Sequence, residues 1–326
     1  MTILVTGGAG YIGSHTVRAL RAEGHEVVVL DTLELGRADA VLDAELVVGD
    51  IADRDLVVGV CRDRGVDAVV HFAAYKNVGE SMADPARYFT NNVDGTVRLL
   101  EAVRSADVGR MVFSSSCSVY GTPATVPVDE TADLHPESVY AETKFMVERV
   151  LGWYDAVHGF RSCSLRYFNA AGASADGKIG EDWSLSQNLI PLAMKAALTG
   201  SPTLRVFGTD YPTPDGTCIR DYIHVDDLAD AHVRALANLV EGGPSTSLNV
   251  GTGKGSSVLE VIAAIERISG RQVPRELVDR RAGDPSATYA DPRRIREVLG
   301  WSARHGLDDI VESAYRWHAS QVAGSR

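Results

Sequence analysis

Thr2-Ile3-Leu4-Val5-Thr6-Gly7-Gly8-Ala9-Gly10-Tyr11-Ile12-Gly13-Ser14-His15 opens the chain and decides its fold. Thr2–Thr6 reads as an apolar, buried strand. Glycines at 7, 10 and 13 follow at once, and a helical pattern over 12–23 follows them. Gly7 permits a tight turn, Gly10 lets the backbone approach a pyrophosphate, and Gly13 allows close packing of helix on strand. The helix N-terminus then offers free N–H groups and a positive dipole end to phosphates. A second strand, 26–30, runs into Asp31, 24 residues after Gly7. A carboxylate there can accept hydrogen bonds from both hydroxyls of an adenosine ribose. It would repel a 2′-phosphate, so the expected dinucleotide is NAD rather than NADP. Arg37 is the nearby cation that could complicate this. After a short strand at 45–48, Asp50 and Ile51 suit contact with an adenine edge; a plain loop carboxylate is the alternative.

The same alternation continues outward. An amphipathic helix covers 53–64, a buried-type strand 68–72 and one long helix 85–106; a strand at 111–114, a helix at 139–157 and a strand at 162–168 follow. Apolar strands separated by helices predict a parallel sheet with right-handed crossovers. The fold expected is α/β, a Rossmann-type doubly wound parallel sheet with a smaller, intertwined C-terminal lobe. Beyond 169 the chain reads as loop over 170–184, helix over 185–198, a Pro/Gly loop at 210–216, helix over 225–239 and a short strand at 248–250. A helix at 258–268, a charged loop at 280–291 and helices at 292–298 and 307–321 complete it. Residues 1–169 are expected to form the NAD-binding lobe, with 222–250 packing back onto it, and 170–326 the substrate lobe.

The bulk numbers narrow the function classes. The chain has 326 residues, 45% hydrophobic and 23% charged, with net charge −12 and pI near 5.2. This argues against general nucleic-acid or membrane-surface binding, but not against local positive pockets for phosphates. Four cysteines without C-x-x-C spacing read as buried thiols, so no metal is expected. With no charged leader before the first strand and no apolar run of about 18 residues, the expected compartment is the cytosol.

Tyr140-Ala-Glu-Thr-Lys144 lies within the predicted helix 139–157. Four residues is just over one turn, so both side chains leave the same face. A phenol ionises at about 10, and lowering that by ~3 units takes ~4 kcal/mol. One ammonium at ~4 Å supplies about that much at an effective dielectric near 20. Burial opposes it, so a second positive charge, such as an oxidised nicotinamide ring, is needed. Ser116 follows the strand at 111–114, where parallel α/β folds place their sites. Its hydroxyl can bridge the tyrosine and a substrate oxygen.

With these blocks in place the chain resembles the extended short-chain dehydrogenase/reductases, and within them the UDP-glucose (UDP-galactose) 4-epimerases. The resemblance spans essentially the whole chain. It is carried by Gly7–His15, Phe72-Ala-Ala-Tyr-Lys-Asn-Val-Gly-Glu-Ser81, Asn91-Asn92-Val93, Ser114–Gly121, Tyr140–Lys144 and Arg166-Tyr-Phe-Asn169. Phe207-Gly-Thr-Asp-Tyr-Pro-Thr-Pro-Asp-Gly216 and Ile219-Arg-Asp-Tyr-Ile-His-Val225 add to it. The resemblance implies that Gly7, Gly10, Tyr11, Ile12, Gly13, Asp31, Asp50, Ile51, Phe72, Ala73, Ala74, Lys76, Asn91, Tyr140, Lys144 and Phe168 hold NAD. It implies that Asn169, Asn188, Leu189, Arg205, Phe207, Arg220, Arg281 and Asp284 surround a UDP-sugar, alongside Lys76, Ser116 and Tyr140. It further implies transient oxidation at C4 of the sugar, with Tyr140 as base, and a homodimer paired through 85–106 and 139–157.

Rival readings remain open. A nucleotide-sugar 4,6-dehydratase needs carboxyl groups beside the triad, where this chain has Ser116-Cys117-Ser118. A UDP-glucuronate enzyme needs a site for a sugar carboxylate, and no distinct basic residue marks one. A UDP-pentose (xylose/arabinose) 4-epimerase shares the same blocks. A non-enzymatic NAD sensor would typically lose the tyrosine or lysine. Two departures from the pattern matter. A shortened loop, Thr32-Leu33-Glu34-Leu35-Gly36-Arg37, replaces the usual Asn and Ser after Asp31. Thr288 stands where hexose-restricted epimerases carry a tyrosine, so room for an N-acetyl group at C2 is expected unless Tyr289 fills it.

Overall fold

Apolar strands that must bury both faces assemble into one parallel sheet, and the helices between them cover it. The computed structural model describes residues 1–281 and 283–324. In chain order the first elements are β1 (Thr2–Thr6), α1 (Tyr11–Ala22), β2 (Glu26–Asp31), β3 (Glu45–Val48), α2 (Arg54–Arg64) and β4 (Val66–His71). Then come α3 (Val78–Ala83), α4 (Pro85–Tyr88), α5 (Gly95–Ser105), β5 (Arg110–Ser114), α6 (Val139–His158) and β6 (Arg161–Tyr167). The next are β7 (Asn169–Ala171), α7 (Leu189–Thr199), β8 (Leu204–Phe207), β9 (Ile219–His224), α8 (Val225–Val240) and β10 (Thr246–Val250). The last are β11 (Gly255–Ser257), α9 (Val258–Ser269), β12 (Arg275–Val278), β13 (Ala287–Thr288), α10 (Arg293–Leu299) and α11 (Leu307–Gly324).

The chain divides into two compact units. One comprises Met1–Gly121, Asp133–Tyr167 and Ala229–Leu248; the other comprises Thr122–Ala132, Phe168–Leu228 and the chain from Asn249 on. In the first, β3-β2-β1-β4-β5-β6 lie side by side with parallel neighbours, and β10 borders β6. This is the doubly wound order. Its direction reverses between β1 and β4, and ligands bind beyond the carboxyl ends of the strands there. Leu4, Leu30, Val69, Met111 and Phe113 of the sheet pack with Leu99, Leu100, Val147 and Leu151 of the helices. In the second unit β9 lies between β11 and β13 and also pairs with β7, while β8 pairs with β12. Ile190, Met194, Val261, Ile265, Ile310 and Val311 form its core. Among the described residues no helix is long and apolar enough to cross a membrane.

Two expectations differ from the structure. The pattern over 85–106 predicts one helix, but α4 widens into a π-helical turn over Phe89–Asp94 before α5 begins. That turn carries Asn92. Its side chain accepts the Tyr75 N–H at 2.9 Å and donates to the Tyr75 carbonyl at 3.0 Å and to the Thr143 hydroxyl at 3.1 Å. π-turns of this kind cluster at functional sites. The stretches read as loop over 170–184 and 280–291 contain β7 and β13. Strands of two or three mixed residues show no usable periodicity; their partners create them.

Candidate active site

The glycine turn after β1 has no room for side chains. Gly7 sits at φ +72°, and a Cβ there would lie 2.5 Å from the backbone nitrogen of Ala73. A Cβ on Gly13 would lie 2.3 Å from the Gly7 carbonyl oxygen, so α1 starts directly on the turn. Gly10 caps α1, and Tyr11 and Ile12 begin it. The result is a bare backbone cradle at a helix N-terminus, which fits a dinucleotide's phosphates. Phe72 and Ala73 donate their N–H groups to the Thr6 carbonyl at 2.8 and 3.1 Å, laying the loop after β4 beside the turn. Ala74 and an exposed Lys76 follow in that loop.

Asp31 ends β2, nearly buried. Its carboxylate accepts the Ala9 N–H at 3.0 Å and the Leu33 N–H at 2.9 Å, which ties the shortened loop to the glycine turn. Two lone-pair sites remain for ribose hydroxyls. Arg37 is engaged by Asp39, 3.0 Å from its Nε, and that bond holds the Asp39 carboxyl below its ordinary value. Asp50 accepts the Ala52 N–H at 2.8 Å; Ile51 is buried. Asn91 donates to the Asn92 side-chain oxygen at 2.9 Å.

Ser116, Tyr140 and Lys144 come together in this same unit, with exposures of 8%, 9% and 4%. The N-terminus of α6 is capped by Ser138, whose hydroxyl accepts the Ala141 N–H at 3.2 Å. Ser81 accepts the Tyr140 N–H, also at 3.2 Å. Lys144 donates to the Ser114 carbonyl at 2.7 Å, and its Nζ lies 5.9 Å from the centre of the Tyr140 ring. Burial pushes the Tyr140 phenol far above its ordinary value, Tyr167 adds to this, and a hydrogen bond with Ser116 opposes it. Burial also takes Lys144 down to about 7, against the pull of Glu148. Burial thus favours a neutral phenol beside a lysine poised at neutral pH, and a positive charge nearby would favour the phenolate.

Sequence reasoning missed four neighbours. Asn92 ties Tyr75 to α6. Tyr167 shares a hydrogen bond with the Ser114 hydroxyl at 2.8 Å, and burial takes its phenol up to about 12. Glu148 and Arg166 form a buried ion pair, 2.6 Å between Arg166 Nη2 and Glu148 Oε2. Their signals were present: Glu148 lies one helical turn beyond Lys144, and Arg166-Tyr167 opens the motif Arg166–Asn169.

Of the residues expected around a UDP-sugar, Asn169, Asn188, Leu189, Arg205, Phe207, Arg220, Arg281, Asp284 and Thr288 lie in the second unit. Arg220 on β9 donates to the Pro285 carbonyl at 2.8 Å and pairs with Asp284 at 3.5 Å. Thr288 on β13 lies in register with Arg220, and its buried hydroxyl has no hydrogen-bond partner among the described residues. The Arg281 guanidinium stacks 4.3 Å from the centre of the Phe207 ring, and that of Arg205 lies 5.1 Å from it. Arg205 also pairs with Glu276 at 3.3 Å on an exposed face. Asn169 donates to the Asp221 carbonyl at 2.9 Å. Asn188 caps α7, whose first residue is Leu189, and donates to Glu181 at 3.0 Å. Phe168 is buried and donates its N–H to the Val250 carbonyl at 3.2 Å.

Residues 3–251 match the model of the NAD-dependent epimerase/dehydratase family, and the chain belongs to that family. Within it the particular likeness is to the UDP-glucose 4-epimerases. The enzyme of that name from Lactobacillus helveticus is 45% identical over 326 residues, covering 99% of each chain. The UDP-glucose 4-epimerase of Stenotrophomonas maltophila, solved with NAD and formylated UDP-arabinopyranose, superposes with a TM-score of 0.97 at 42% identity over 99% of each chain. The UDP-Glc/GlcNAc 4-epimerase of Campylobacter jejuni gives 0.87 at 40% identity, over 98% of this chain and 99% of that one.

Proposed function

We infer that this protein interconverts UDP-glucose and UDP-galactose by reversible oxidation at C4 of the sugar, using NAD. The observation that carries this is the buried Ser116–Tyr140–Lys144 group in the same unit as a side-chain-free phosphate cradle ending at Asp31. Gly7–Gly13 and Asp31 would hold the dinucleotide, with Lys144 reaching its nicotinamide ribose. When bound, NAD accepts and returns a hydride, and in its oxidised form brings that positive charge. Tyr140 as phenolate takes the proton of the 4-hydroxyl and later gives it back to the same oxygen once the sugar has presented its other face. Ser116 orients that oxygen. Arg220 and Arg281 suit fork-shaped contacts with the pyrophosphate, Asp284 suits the uridine ribose, and this anchor keeps the ketone from leaving.

The test is conversion of UDP-galactose to UDP-glucose by the purified protein and by its Tyr140→Phe variant. The variant is expected to lose a factor of about 10²–10⁴ in kcat. Near-normal turnover would remove Tyr140 as the base. A second reading adds UDP-N-acetylhexosamines as substrates. It rests on Thr288, a small residue whose buried hydroxyl lacks a partner among the described residues. Tyr289, just past β13, lays its ring near Gly255. We also propose a homodimer, from Trp153 and Val157, which leave 68% and 66% of their surface exposed one turn apart on α6. A cytosolic location fits four cysteines that all remain free thiols.

A further inference from the structure

The ion pair behind the catalytic group has a geometry that the proton transfer itself does not require. Glu148 lies four residues after Lys144 on α6, so the two side chains neighbour each other on one helix face. Its carboxylate accepts the Ser115 hydroxyl at 2.5 Å. Arg166 on β6 grips the same carboxylate through Nε at 3.0 Å and Nη2 at 2.6 Å, and donates through Nη1 to the Tyr120 hydroxyl at 2.9 Å. Ser115 immediately precedes Ser116, and Tyr120 closes the short turn Cys117–Tyr120 that follows it. One buried pair therefore holds the serine segment on both sides of Ser116.

We propose that Glu148 is a positioning residue of the proton-transfer centre: with Arg166 it clamps the segment bearing Ser116, and it sets a carboxylate one helical turn from Lys144. The proposal rests on the reading of Tyr140, Lys144 and Ser116 given above. An ion pair kept only for stability would be a poor choice here, since well-packed apolar residues usually do as well. The groups around Lys144 are few. Tyr140 and Glu148 come from α6, the Ser114 carbonyl and the Phe113 ring at 4.9 Å from β5, and His71 from β4; behind them Tyr167 bonds Ser114 and Arg166 holds Glu148, both from β6. Burial and Lys144 push His71 down to about 3, so it is neutral. Tyr140 and Tyr167 are pushed upward, so both are neutral in the unliganded protein. Glu148 is the one negative charge in this set.

Two variants separate the two roles. Glu148→Gln keeps the shape and removes the charge. Lys144 should then lose its proton more easily, and the unpaired Arg166 pushes the same way. The alkaline limb of kcat is expected to move down by roughly one pH unit. Ser115→Ala releases the serine segment but leaves the ion pair. It should lower kcat about tenfold, with KM little changed and the alkaline limb where it was. Activity-independent support comes from urea unfolding of Lys144→Met and Glu148→Gln, singly and together. The charges should show a favourable coupling near pH 6 that fades above the point where Lys144 deprotonates. Folded Glu148→Gln with an unmoved limb and no coupling overturns the electrostatic role. Ser115→Ala with wild-type kcat overturns the clamp, and decides it even if Glu148→Gln fails to fold. Failure of wild-type protein to convert UDP-galactose would instead overturn the functional reading, since the coupling does not depend on turnover.

Discussion

Lys144 is a cation placed where a cation is costly, and that cost can be measured. Its ordinary value is 10.5 and burial brings it to about 7 in the folded chain. Between those values the unfolded chain holds more protons than the folded one. Stability of the unliganded protein therefore rises with pH across that window, and the penalty is complete below about 7. Lys144→Met is expected to be more stable than wild type near pH 6, to approach it near pH 10.5, and to lose catalysis. Urea midpoints against pH check this; parallel curves for the two proteins would refute it. Thr288 belongs to the same scale. Thr288→Tyr puts a ring in place of a small, buried side chain. It should cut turnover of UDP-N-acetylgalactosamine at least tenfold while leaving UDP-galactose within about threefold. Equal losses on both would show that Thr288 does not select at C2. Tyr140 and Lys144 were legible in the sequence because their relation is local, one turn of one helix. The partnership of Glu148 with Arg166 was not, because it exists only once β6 lies beside α6.

Among the elements, α4 to α5 shows how a periodic pattern can hide a functional joint. The apolar spacing over 85–106 is helical throughout, yet the π-turn at Phe89–Asp94 brings Asn92 onto the Tyr75 backbone and onto Thr143, which stands between Tyr140 and Lys144. Asn92→Leu keeps the branched shape and strands the Tyr75 N–H and carbonyl without their partners. A loss of about 1–3 kcal/mol is expected. The loop from Phe72 to Lys76 should also loosen, seen as faster amide hydrogen exchange there than at β4. Wild-type stability and exchange would mean that the π-turn is incidental. The strands of the first sheet were legible because burial on both faces demands continuous apolar runs. β7, β11 and β13 were not, since each is two or three residues held by a neighbour.

For the whole molecule, the net charge of −12 and the local cations are compatible because the arginines occupy separate, paired places. Arg220 has Asp284, Arg37 has Asp39 and Arg166 has Glu148. Two large apolar side chains nevertheless stand in solvent on α6. Trp153→Lys is expected to convert a dimer into a monomer, read by light scattering at micromolar concentration. A monomeric wild type would remove the proposed assembly. The sequence by itself determined the parallel α/β class, the phosphate turn, the carboxylate at Asp31 and the Tyr140–Lys144 pair. All of these follow from spacing within one strand, turn or helix. Only the tertiary structure decided that 122–132 groups with the second unit, that Asn92 rather than Asn91 bonds the Tyr75 backbone, and that a buried ion pair brackets Ser116. Those relations join residues far apart in the chain. They depend on which strand lies beside which helix, and no local periodicity records that.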